Sequence, residues 1–156
     1  MKTLILTLYI STLLLNCSNS DDSCEWKLIE PVFISNDING DLINDIFSEN
    51  NDKLNDIDRN LLIINNEQEL SEIYDGENNL GINFEKYFLI GGKFQTSSIS
   101  NEILNEALFK CDYNSTYKYE ITVKQCSECF TAIGNLYYWK IYTSMLNNEN
   151  IELTIK

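Results

Sequence analysis

The chain has 156 residues, of which 44% are hydrophobic and 12% aromatic, enough for one folded domain and too apolar for wholesale disorder. Its formal net charge of −13 repels nucleic-acid phosphates and anionic lipid headgroups, which excludes both as direct partners. There is no histidine, so any catalytic scheme must do without the commonest general base and metal ligand.

At the N-terminus, Met1-Lys2-Thr3 supplies one positive charge ahead of an uncharged apolar run from Leu4 to Leu15. As a helix this run rises about 18 Å, short of a hydrocarbon core of about 30 Å, so it reads as a secretory signal and not as a spanning helix. No Ala-x-Ala cleavage site follows. Instead Leu14-Leu15-Asn16-Cys17 resembles a bacterial lipobox, whose cysteine is lipidated and becomes the first residue of the mature protein; Asn16 stands where a small residue is usual. Residues 18–23, Ser-Asn-Ser-Asp-Asp-Ser, form a polar tether whose Ser-Asp-Asp core resembles signals that send lipoproteins of Bacteroidetes to the outer cell surface. Each buried methylene contributes about 0.8 kcal/mol, so two or three acyl chains on Cys17 make attachment effectively permanent. The expected organisation is a signal at 1–16, a lipidated tether at 17–23 and a single domain at 24–156. The expected address is a bacterial outer membrane, lipid-anchored and surface-exposed.

Within the domain, Cys24 to Ile29 predicts an opening strand ended by Pro31, the only proline, with Val32 to Ile34 continuing past the break. Residues 35–60 are dominated by Asn and Asp, with a short amphipathic helix at Leu42 to Phe47. Leu61-Leu62-Ile63-Ile64 predicts a buried strand, and Asn65 or Asn66 then caps a helix over Glu67 to Tyr74, its acids in the first turn as the dipole prefers. The segment from Ile82 to Phe94 is apolar on both parities, so it predicts a central strand covered on both faces, running from Phe84 to Ile90 ahead of Gly91-Gly92. Strand, helix and strand in this order predict a right-handed parallel crossover.

Ile99 to Cys111 fits either a helix stripe or a strand. Tyr117 to Gln125, Tyr137 to Tyr142 and Ile151 to Ile155 each alternate apolar and polar residues, which predicts an antiparallel C-terminal meander. The fold class expected is α+β, mostly antiparallel sheet, with one or two short helices packed on it.

Leu61-Leu62-Ile63-Ile64-Asn65-Asn66-Glu67-Gln68-Glu69-Leu70, followed by Ile82-Asn83-Phe84-Glu85-Lys86-Tyr87, resembles a family of small surface lipoproteins of Bacteroidetes. It is also distantly similar to the C-terminal domain of a treponemal protease-complex subunit. Asn83 replaces the aspartate usual in those families. Over Leu61 to Lys156 the resemblance implies an α+β architecture and a strand for Ile99 to Cys111. It implies no catalytic residue and makes a protease-associated binding role conceivable.

With Cys17 lipidated, Cys24, Cys111, Cys126 and Cys129 remain, an even number in an exported domain. If Tyr117 to Gln125 is one strand, its length separates Cys111 from Cys126 and Cys129 by about 25–30 Å, beyond disulfide reach. The favoured pairs are therefore Cys24–Cys111 and Cys126–Cys129. Cys126-Ser127-Glu128-Cys129 also has the spacing of a redox-active pair, which makes a small thiol-disulfide oxidoreductase the alternative function. That chemistry needs a helix after the motif, and Phe130 to Asn135 is short for one. A zinc site would require a second close pair of cysteines.

Asp37, Asn39 and Asp41 resemble the start of a calcium loop, but Leu42 occupies the glycine position and Ser48 the bidentate acid position, so a solvated turn before a helix is preferred. Asp52, Asp56 and Asp58 read as solvated charge. Tyr138 and Tyr142 fall beside Lys140 on the presumed outer face, where they could stack on sugar rings or anchor a protein. The function expected is non-enzymatic binding or envelope interaction, without a cofactor, reaching the membrane through its anchor and a protein or glycan at the cell surface.

Overall fold

The computed structural model describes residues 24–32, 38–75, 80–113, 116–126, 132–143 and 151–156. Among them, in chain order, are β1 (Trp26–Ile29), α1 (Gly40–Ile46), α2 (Asp52–Asp56), β2 (Leu62–Ile64), α3 (Glu67–Ile73), β3 (Tyr87–Thr96), β4 (Glu102–Cys111), β5 (Tyr117–Lys124), β6 (Gly134–Thr143) and β7 (Ile151–Ile155). The architecture is α+β and mostly β. No helix among the described residues is long and apolar enough to cross a membrane.

Three layers result. One sheet has the order β1-β4-β5-β7, a second the order β2-β3-β6, and the helices lie on the far side of the second. The central strand expected around Ile82 to Phe94 is β3, and its two faces separate as the double parity demands. Leu89 packs among α1, α2 and α3, while Phe88, Ile90 and Phe94 face the first sheet. The strand does not end at Ile90. It runs through Gly91 and Gly92 to Thr96, paired with β6 throughout, and close neighbours explain why those two positions are bare. A Cβ on Gly91 would come within 2.3 Å of the Phe47 ring, and one on Gly92 within 2.3 Å of the Asn60 carbonyl oxygen.

Two expected connections are corrected. β2 and β3 pair antiparallel, with Leu62 opposite Gly91 and Ile64 opposite Leu89, so no parallel crossover joins them. α3 has only seven residues and rises about 10 Å, and the chain re-enters β3 at the end of the sheet where it left β2. Nor do the last three strands form a meander. β6 leaves the first sheet and pairs with β3 in the second, and β7 returns to pair with β5 in parallel, Tyr119 opposite Leu153. The first and third of these strands run parallel as neighbours, and the middle strand lies in the other layer. Of the ambiguous segment Ile99 to Cys111, Glu102–Cys111 form the strand β4, and Ile99 to Asn101 lie ahead of it.

The Asn-rich stretch folds into two short helices, where one was expected, and its asparagines are the reason. Asn39, Asn51 and Asn66 cap α1, α2 and α3, each side chain accepting from the backbone three residues on. Asn51 also donates through Nδ2 to the Ile46 and Ile73 carbonyls, both at 2.8 Å, which joins the C-terminal ends of α1 and α3 to the start of α2. Trp139 Nε1 donates to Asn44 Oδ1 at 2.9 Å, and the Tyr137 hydroxyl to Asn55 Oδ1 at 2.9 Å, seating this layer on β6.

Candidate functional site

Of the predicted site residues, Cys17 lies outside the described residues, as do the signal and the tether. Cys24 and Cys111 form a disulfide with Cα atoms 5.5 Å apart, clamping the first described residue to the end of β4 beside the Trp26–Cys111 pair. Cys126 is also disulfide-bonded; position 129, its expected partner, lies outside the described residues. The Cys126 amide donates to Asn101 Oδ1 at 3.0 Å, and Asn101 is itself buried. Of the calcium candidates, Asp37 lies outside the described residues, Asn39 is engaged in its cap at 3.1 Å from the Leu42 amide, and Asp41 is exposed in the first turn of α1. Among the described residues no three acidic, cysteine or histidine side chains converge as a metal set.

Tyr138 and Tyr142 require correction. Both are buried, at 2% and 0% exposure, between the two sheets. Tyr138 stacks on Tyr119 with ring centroids 5.8 Å apart, and Tyr142 on Phe88 at 5.6 Å. Neither can meet a ligand on an outer face. The alternation that put them beside Lys140 is correct, but that face of β6 is covered. Lys140 reaches the sandwich edge on its flexible stem instead.

What Lys140 meets there is the polar feature that sequence reasoning missed. Glu106 enters the inter-sheet core from β4 with its side chain only 10% exposed, and its Oε1 lies 3.6 Å from Lys140 Nζ. Its Oε2 accepts from the Tyr119 hydroxyl at 2.7 Å. Burial pushes the Glu106 carboxyl above its ordinary pKa, against the lowering pull of Tyr119 and Lys140. Burial, with the Glu106 charge added, pushes the Tyr119 and Tyr138 hydroxyls up as well. Among the described residues the buried Tyr142 hydroxyl has no hydrogen bond of ordinary geometry, and burial raises its pKa against a lowering pull from Tyr119.

A register shift between Ile103 and Asn105 turns Glu106 inward. Without it, strict alternation would set Glu106 with exposed Leu104. The one available signal was the lone acid between Leu104 and Leu108 on one parity. Both oxygens of Glu106 are engaged, so the group acts as a tie between sheets. A cleft of about 480 Å³ opens beside it, lined by Leu28, Glu30, Leu104, Phe109 and Lys140 among others.

On the outer face of the first sheet, Trp26 and Leu28 are exposed at 37% and 51%. Lys118 Nζ lies 4.9 Å from the Trp26 ring centroid and 5.6 Å from that of Phe109. This, and not β6, is where the described residues present an aromatic side chain to solvent on a sheet face. A groove of about 670 Å³ runs beside β2, walled by α3.

No family model, curated protein or solved structure matches the chain.

Proposed function

We propose that the chain is a lipoprotein anchored through Cys17 to a bacterial outer membrane, and that it acts by binding at the cell surface and not by catalysis. The observation that carries this reading is the Cys24–Cys111 disulfide. Disulfides persist in exported proteins and are rare in reducing cytosol, which fits the secretory signal and lipobox read at the N-terminus. Its position fits as well. A tether at 17–23 pulls on residue 24, and the disulfide transmits that load to β4 in the interior of a sheet instead of peeling away the four-residue β1.

The test is incorporation of radiolabelled palmitate into the full chain and into Cys17→Ser. The reading expects label and membrane retention in the first and loss of both in the second. A Cys17→Ser chain that still partitions with envelopes unchanged overturns it. Thiol alkylation separates the oxidoreductase alternative: a binding domain keeps Cys126 unreactive until it is reduced, whereas a catalytic pair exposes a reactive, low-pKa thiol.

A further inference from the structure

Among the described residues four strand edges end the two sheets, and three are guarded. β1 has four residues, carries Lys27 between Trp26 and Leu28, and is followed by Pro31. β7 carries exposed Glu152 and is followed by Lys156. β6 is partly covered, its Ile141 carbonyl accepting from the Val32 amide at 2.7 Å. These are the usual means of blunting an edge.

The β2 edge is short as well, at three residues, but has none of the other guards. Leu61-Leu62-Ile63-Ile64 contains no charge and no proline, and among the described residues its backbone has no partner beyond β3. The 670 Å³ groove is lined by all four of these residues in succession. Adjacent strand residues point to opposite faces, so a groove touching every one of them follows the edge itself. The four residues run about 13 Å, and an added strand would sit about 4.8 Å away.

We propose that β2 is a receptor edge for strand addition, taking an extended segment of a partner protein that alternates apolar and basic residues. Apolar side chains on one face of the added strand would continue the row of Leu61 and Ile63 over the inter-sheet core. Side chains on the other face would meet α3, where exposed Glu72 and Glu69, the latter also accepting from the Asn65 amide, line the groove; among the described residues Arg59 is its one cation. Two acids to one base favours a basic strand. The same charges oppose pairing with a second copy, since each chain carries −13 and would set its own acids against its twin's. Main-chain hydrogen bonds would supply affinity and the alternating side chains specificity. The inference deepens the binding role proposed above but does not depend on the anchor, and palmitate labelling fails or succeeds separately from it.

The test uses the full-length chain and an acetylated heptapeptide alternating valine and lysine, read by amide hydrogen exchange and titration. Saturable binding with new protection confined to residues 61–65 is expected. A version N-methylated at alternate residues keeps every charge but loses the donors facing β2, and its affinity should fall at least about tenfold. Glu72→Lys, an exposed substitution, should weaken the parent peptide several-fold. Equal binding of the N-methylated peptide, protection mapping elsewhere, no binding, or a self-associated chain whose β2 amides are already protected would each overturn the proposal.

Discussion

The two faces of β3 look onto different cores. Toward the helices the buried residues are aliphatic almost throughout: Ile43, Ile46, Leu54, Leu70, Ile73, Leu80 and Leu89, with Phe47 the exception. Toward the first sheet they are largely aromatic, with Phe88, Phe94, Tyr117, Tyr119, Tyr138 and Tyr142 around the Glu106 tie. An aliphatic layer is stabilised by burial and shape and accepts any side chain of similar volume. The aromatic layer adds hydroxyls that must find partners in a medium without water, so it constrains how the two sheets can sit. One core supplies cohesion, and the other adds geometry.

The largest effect should come from the aliphatic side. Leu54 is fully buried among the helices, and Leu54→Ala should cost about 2–5 kcal/mol, read as a lower urea midpoint at unchanged slope. An effect under about 1 kcal/mol would mean that the helix layer is loosely packed.

Tyr119→Phe comes next and probes the aromatic side. It removes the phenol donor from a buried carboxylate, which should cost about 1–3 kcal/mol. Adding Glu106→Leu should recover part of that loss, because the double variant leaves no charge stranded. Simple additivity would show that the two residues do not act as a unit.

Asn51→Ala, at the junction of the helices, removes a cap and frees two carbonyls, for a loss of about 1–2 kcal/mol. Thermal unfolding followed by circular dichroism would show it.

The smallest effect is one of sign. Burial raises the folded-state pKa of Glu106, so as pH falls the folded chain takes up this proton before the unfolded chain does. Glu106 therefore weakens the fold near neutral pH, and that cost is relieved as pH drops through its raised pKa. Glu106→Gln should match or slightly exceed the native chain in stability near neutral pH and lose ground to it as pH falls through the raised pKa. Urea midpoints of the two chains over a descending series of pH values test this. Glu120, held below the usual carboxylate range by Lys118 and then Lys156, has the opposite sign: its contribution is present above the unfolded-state pKa and is lost as pH falls through the lowered one.

The same contrast decides what could be read from the chain. Apolar parity located β3 with both faces covered, and the strands at 117–125, 137–142 and 151–155, because burial is written in residue type. Strand length also selected Cys24–Cys111. Parity says nothing about which sheet a strand joins. β6 alternates like a strand open to water on one side, with Lys140 among its tyrosines, yet its polar parity faces the other sheet. The Asn-rich stretch resembled solvated loop because the value of Asn51 lies in carbonyls at Ile46 and Ile73, the latter 22 residues away. Glu106 was hidden by a one-residue shift in β4, which no alternation pattern displays. Nor does the apolar run at Leu61 to Ile64 tell how many strands pair with it; among the described residues β3 alone does.

Intact-mass measurement of the chain extracted from membranes, before and after reduction, bears most directly on the proposed role. The account predicts a polypeptide beginning at Cys17 that carries the added mass of acyl chains and gains two hydrogens per disulfide on reduction. An unacylated chain, or one whose first residue is any other than Cys17, would contradict it.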